Sequence, residues 1–182
     1  TYAGNLGFSQ SVELLVHAAR ALRDEPDLVV ELDGAGARRE ELQDLAAGLD
    51  NIVFVGLQPA ERLNEVLAAA DLHTVLLRRG LARSSVPSKL YSILAAGRPV
   101  LASVDEDTEV ARVLERAGAG VAVAPDDPGA FVDALRGLLN TAGDLEAMGR
   151  AGRRYVEGWA SPAAVAEAYE ALFDELGAAR RG

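Results

Sequence analysis

VPSKLYSILAAGRPVLAS, Val86 to Ser103, is the stretch that decides the fold. Leu90, Ile93, Leu94 and Gly97 recur at i, i+3, i+4 and i+7, the spacing of a helix with one buried face. Pro99–Ala102 then gives a short apolar strand, so the segment is a helix leading directly into a strand. The helix opens on Pro87, Ser88 and Lys89. A lysine there is unexpected, because the four leading N–H groups carry partial positive charge and an added ammonium costs from a few tenths to about 1 kcal/mol. The sequence therefore predicts that something negative belongs at this helix start.

The same alternation extends in both directions. Apolar runs near Thr1–Ala3, Leu28–Leu32, Ile52–Val55, Leu72–Leu77, Pro99–Ala102 and Gly120–Val123 read as strands. Between them lie helical patterns at Arg38–Leu49, Glu61–Ala70, Thr108–Ala117 and after Pro128, where Phe131, Leu135, Leu138 and Leu139 form a stripe. Two more helices follow, Asp144–Glu157 and Pro162–Leu176, and residues 159–178 as a whole read as a carboxyl-terminal helix. Trp159 and the face of Val165, Tyr169, Leu172 and Phe173 are expected to hold that helix on the domain, unless it docks a partner domain. The predicted fold class is α/β: a doubly wound, Rossmann-like, six-stranded parallel sheet flanked by helices. In such a fold, ligands bind outside the carboxyl ends of the strands, which selects five loops: Gly4–Gln10, Asp33–Arg38, Gly56–Ala60, Arg78–Lys89 and Ser103–Thr108.

At 182 residues the chain suits one domain, and 49% hydrophobic with 25% charged residues is a globular composition. No run approaches the roughly 18 apolar residues of a membrane span, and no secretory leader is recognisable. Cysteine is absent, which removes disulfides, thiolate nucleophiles and cysteine metal sites and agrees with a cytoplasmic setting. A net charge of −10 argues against nucleic acid as a partner. The start at Thr1, within what reads as a strand, gives the expectation of an excised domain.

Among the loops, Gly4-Asn5-Leu6-Gly7 is a tight turn that lets a ligand approach the backbone. Asp33-Gly34-Ala35-Gly36 fails the dinucleotide fingerprint because Arg39 stands where the third glycine is needed. The loop RRGLARSSVPSKL is the informative one: Arg78, Arg79, Arg83 and Lys89 gather in an acidic protein, with hydroxyls from Ser84, Ser85 and Ser88. It is predicted to be an anion site, where a Lys89 contact worth about 1.5–3 kcal/mol outweighs the dipole penalty. His17 and His73 lack a metal-ligand pattern and read as structural, and no metal is expected. Asp105, Glu106, Asp107 and Glu109 read as capping or solvated acids.

Taken in order, YAGNLGFSQSVELLVHAARAL, VVELDGAGARREEL, NIVFVGLQPAERLNEVLAAADLHTVLL, VPSKLYSILAAGRPVLAS and GAGVAVAPDDPGAFVDALRGLL cover nearly the whole chain. Together they resemble the carboxyl-terminal, donor-binding half of a retaining family 4 glycosyltransferase with the GT-B fold, in the branch of capsule, lipopolysaccharide or colanic-acid-type polysaccharide assembly. The resemblance implies that 1–182 is a single nucleotide-sugar-binding domain whose amino-terminal acceptor domain is not in the chain. It implies no cofactor, a nucleoside diphosphate sugar as donor, and a saccharide or lipid-linked acceptor met through the other domain. The full-length enzyme would be cytoplasmic, with peripheral contact at the inner face of the membrane.

The roles carried over follow the matched positions. Gly4, Asn5, Leu6 and Gly7 would lie against the diphosphate and transferred sugar, and Gly34 and Gly36 would let the nucleoside approach the sheet. The backbone around Gly56, Leu57 and Gln58 would meet the base. Pro87 precedes Ser88 and Lys89, which with the helix start would neutralise the departing diphosphate, making Lys89 the catalytic candidate. Four positions depart from the family: Asn5 and Gln10 stand where an arginine and a lysine are usual, and Ser84 and Ser92 where two glutamates are usual. Either those jobs are redistributed, with Lys89 and Arg83 as substitutes, or the domain has lost efficient donor binding. The alternative is a noncatalytic sugar-nucleotide-binding or interaction module; in either case this chain alone is expected to bind without turnover.

Overall fold

The computed structural model describes residues 1–81 and 87–179. Six strands, β1 (Tyr2–Ala3), β2 (Val30–Asp33), β3 (Ile52–Val55), β4 (His73–Leu76), β5 (Val100–Ser103) and β6 (Gly120–Val123), alternate with helices. The helices are α1 (Glu13–Ala21), α2 (Arg39–Leu45), α3 (Leu63–Ala69), α4 (Lys89–Ala95), α5 (Glu109–Ala117) and α6 (Pro128–Leu139), then α7 (Ala142–Trp159) and α8 (Pro162–Ala179).

All strand pairings are parallel, in two three-stranded sheets ordered β1-β2-β3 and β4-β5-β6. The sheets meet edge to edge, with β1 beside β4 and the Thr74 N–H donating to the Thr1 carbonyl at 2.9 Å. This corrects the expectation of one six-stranded sheet: β1 contributes two residues, too few to extend a ladder across the seam. The chain therefore winds outward from β1 to β3, returns to the seam, and winds the other way. That seam is the switch point at which doubly wound folds bind ligands.

Each face is sealed by the stripes seen in the sequence. Leu14, Leu15, Leu32, Leu42, Phe131 and Leu135 pack on one side; Leu67, Val75, Ile93, Leu94, Val113 and Leu114 pack on the other. Each fully buried aliphatic side chain is worth about 1.5–3 kcal/mol. The helix ends follow local chemistry. Thr108 Oγ1 accepts the Ala111 N–H and Asp127 accepts the Ala130 N–H ahead of Pro128. Helix α4 ends because Gly97 takes φ +71°, so that Gly97 and Arg98 donate to Leu94 and Ile93 as a left-handed cap.

Two sequence expectations change here. The helix expected over Arg38–Leu49 runs only from Arg39 to Leu45. Trp159 closes α7 instead of anchoring the last helix, with its ring 5.8 Å from those of both Tyr91 and Tyr155. Helix α8 leaves Val165, Tyr169, Leu172 and Phe173 exposed, so its apolar face does not hold it on the domain.

Candidate functional site

Lys89 answers the question posed by its place in the chain. Its ammonium does not stay over the α4 N-terminus but reaches across the seam, 4.0 Å from the centroid of the Tyr2 ring. It lies so close to the first loop that a Cβ on Gly4 (φ +153°) would stand 2.8 Å from Nζ. Among the described residues no carboxylate lies within 4 Å of it, and burial lowers its pKa to about 8. An apolar setting disfavours the ammonium, and an arriving anion would restore it.

The first loop is clamped to the second by backbone bonds. Gly4 N–H donates to Asp33 O at 2.9 Å, Leu6 N–H to Ala35 O at 2.9 Å, and Arg38 N–H to Leu6 O at 3.0 Å. Here Gly34 and Gly36 serve the close approach of two loops: an added Cβ would fall 1.9 Å from Gly4 O or 2.4 Å from Leu6 O. Gly34→Ala should therefore lower stability by about 1–3 kcal/mol. An unchanged melting temperature in that variant would show that the loops are not held together here.

Leu6 is fully buried in the core, its N–H donates to Ala35 O and its carbonyl accepts from Arg38 N–H, so its side chain serves packing. Asn5 and Gln10 do converge, since a Cβ on Gly7 would lie 2.7 Å from Asn5 Nδ2 and 3.2 Å from Gln10 Oε1. Gln10 Oε1 is buried without a partner. Leu57 is exposed beside Gly56, and Gln58 turns back to donate to Gly56 O at 2.9 Å. Ser88 is exposed and its side chain caps nothing. A cavity of about 190 Å³ opens beside Lys89, walled by Ser88, Ser92, Ala3, Leu63 and Leu67. Arg83 and Ser84, with Ser85, lie outside the described residues.

The predicted basic cluster resolves differently from expectation. Arg78 pairs with Glu13 at 2.7 Å and Asp126 at 3.2 Å and donates to Phe8 O, while Arg79 donates to Pro125 O and, through its backbone, to Asp126. The Arg78 charge is thus neutralised inside the protein, and the Arg79 side chain is tied to the Pro125 carbonyl. Glu13 also holds buried Arg38 at 2.6 Å, and Ser11 donates to Asp126, a non-glycine residue at φ +57°. Burial raises the Glu13 and Asp126 pKa values, but hydrogen bonds overcome it: from Arg38 and Arg78 at Glu13, and from the Arg79 backbone and Ser11 at Asp126. Both carboxyls therefore sit below their ordinary range. Sequence reasoning missed this brace because its members come from four segments remote in the chain and no spacing links them.

His73 is buried with Nε2 2.9 Å from Leu67 O, and burial holds its pKa near 4, so it is a neutral core residue as read from the sequence. Asp105 accepts the Gly80 N–H at 2.7 Å and Glu109 stands 3.6 Å from Arg112, the structural parts expected of that acidic loop. Among the described residues no group of His, Asp or Glu could hold a metal, and no helix is long and apolar enough to cross a membrane.

With this geometry in view, residues 1–141 match the family model described as Glycosyl transferases group 1. The Escherichia coli (strain K12) protein named as a colanic acid biosynthesis glycosyl transferase, WcaI, is 36% identical over 141 residues, covering 76% of this chain and 34% of that protein. Among solved structures, sucrose-phosphate synthase from Thermosynechococcus elongatus superposes with a TM-score of 0.76 at 24% identity, over 98% of this chain and 45% of that one. HepE of Anabaena, crystallised with UDP-glucose, gives a TM-score of 0.71 at 14% identity, over 86% and 43%. The chain thus spans about a third of the length of the curated relatives it matches. It belongs to the group 1 glycosyl transferases.

Proposed function

We propose that this chain is the donor-binding domain of a retaining glycosyltransferase that moves a sugar from a nucleoside diphosphate onto a saccharide or lipid-linked acceptor in polysaccharide or cell-envelope assembly. The observation that carries this reading is the Lys89 ammonium, poised over Gly4 at the switch point with no carboxylate partner among the described residues. A diphosphate placed there would meet Lys89 and the exposed Ser88, while its pentose would enter the cavity walled by Ala3, Ser92 and Leu63. As the sugar–phosphate bond breaks, negative charge grows on the departing diphosphate. A cation already in place stabilises that charge without reorganising. Asn5 and Gln10, gathered over Gly7, would offer their amides to the transferred sugar. The acceptor, and any group that acts on it, would come from the part of the polypeptide outside this chain.

The test is calorimetric titration of the chain with UDP, GDP, ADP and their common sugar conjugates, beside a transfer assay. Binding of one nucleoside diphosphate without turnover is the expected result. No binding at millimolar concentration would remove the donor-site assignment, and transfer by the chain alone would remove the division of labour between domains.

A further inference from the structure

One buried charge is left unexplained by the site as described. Asp33 ends β2 and is 5% exposed, yet its Oδ1 has no hydrogen-bond partner and no ion pair reaches it among the described residues. Burial raises its pKa, the mark of a carboxylate stripped of water without compensation. An uncompensated buried carboxylate is costly, and such a group persists where a ligand completes it. The register shows which way it faces. Asp33 pairs with Ala3 on one side and Val55 on the other, and residues paired across parallel strands share a face of the sheet. Ala3 lines the cavity with Lys89 and Ser92, so Asp33 lies on the cavity's side of the sheet, one strand farther from Lys89 and next to the strand that leads into Gly56.

That order across the sheet matches the order of parts in a nucleotide. With the diphosphate at Lys89, the pentose lies over Ala3 and the base arrives at β2 and β3, about 4.8 Å farther per strand. The chain supplies no competing carboxylate on the α4 wall, because no acidic residue occurs between Asp71 and Asp105. A carboxylate whose oxygens meet no donor among the described residues asks for two parallel donors. Guanine presents them, N1–H beside the exocyclic N2–H. Uracil offers a single N–H between two carbonyls that a carboxylate repels, and adenine offers its amino group beside an acceptor nitrogen.

We infer that Asp33 reads the base of the donor and selects guanine, so that the substrate is a GDP-linked sugar. This rests on the donor-site reading above.

Calorimetry of the chain with GDP, IDP and UDP, repeated on Asp33→Asn, separates the two readings. IDP keeps N1–H and the 6-oxo group of guanine but lacks the exocyclic amine, so it isolates one of the two contacts. The expected result is that GDP binds at least tenfold more tightly than IDP or UDP, about the strength of one hydrogen bond to a charged group, and that Asp33→Asn erases the difference. Three results would overturn the inference while leaving the donor site standing. They are UDP binding as tightly as GDP, a GDP preference that survives Asp33→Asn, and an equal loss of GDP and UDP in that variant, which would place the carboxylate on the pentose both share. Failure of all three nucleotides to bind the folded chain would overturn the donor-site reading itself, and this inference with it.

Discussion

Lys89→Ala should weaken nucleoside diphosphate binding by about tenfold to 150-fold, the range for losing one hydrogen bond to a charged group at about 1.5–3 kcal/mol. The effect is large because Arg78 and Arg79, the other described cations of this loop, are already held by Glu13, Asp126 and Pro125 and cannot move in to replace it. Lys89→Met, which keeps an apolar stem against Tyr2, should lose as much affinity as the alanine variant, since the charge and not the packing is at stake. A loss under twofold in isothermal titration would place the anion elsewhere.

The same residue sets opposite pH trends for binding and folding. In the folded chain burial brings the Lys89 pKa to about 8 from 10.5, so between those values the unfolded chain holds a proton that the folded chain has released. Stability from this group therefore rises with pH across that window. Affinity for a diphosphate should do the reverse, flat at neutral pH and falling up to about tenfold per unit above pH 8, with net proton uptake on binding near pH 8. Titration in buffers of different ionisation enthalpy reads that uptake directly. Affinity that stays level to pH 10 would mean that the ammonium is not what the anion meets.

Glu13→Ala should give the largest loss of stability, about 2–4 kcal/mol. Removing one partner of a buried ion pair typically costs about 3–5 kcal/mol. The value here is lower because the Glu13 side chain is 22% exposed and both arginines keep a second carboxylate, Arg38 through Glu41 and Arg78 through Asp126. For a chain of this size the melting temperature should fall by about 5–15 °C. Because the Glu13 pKa is depressed, its contribution is present above its unfolded value of 4.5 and is lost as pH falls through the lower folded value. The variant should therefore show a shallower loss of stability on acidification than the parent. Equal acid sensitivity in both would mean that the brace does not govern the acid limb.

Much of the architecture could be read before any coordinates. The strands β3 and β6 occupy the predicted residues, and the others shift by one or two positions, because alternating apolar runs and helical stripes are local patterns with local causes. The extra length expected of α2 failed for the same reason: Ala46 and Leu49 fit the helical stripe, but the chain leaves the helix after Leu45, and periodicity alone does not mark an end without a strong cap. At the site, Lys89, Ser88, Ser92 and the glycine loops were legible from charge contrast and from the rule that ligands gather at strand carboxyl ends. The burial of Leu6 was not legible, because a residue inside a glycine turn looks available until the turn is seen folded over its own core.

What the sequence determined by itself was the alternating α/β order, the place of the loops, and an uncompensated lysine at the head of α4, since each follows from neighbours along the chain. Only the tertiary structure decided which charges remain available. Arg78, Glu13, Arg38 and Asp126 neutralise one another because four segments of the chain converge at the seam, while Lys89 and Asp33 are left without an ion-pair partner among the described residues. Pairing of charges depends on distances of a few ångströms between segments remote in sequence, and those distances exist only once β1 has been laid between β2 and β4.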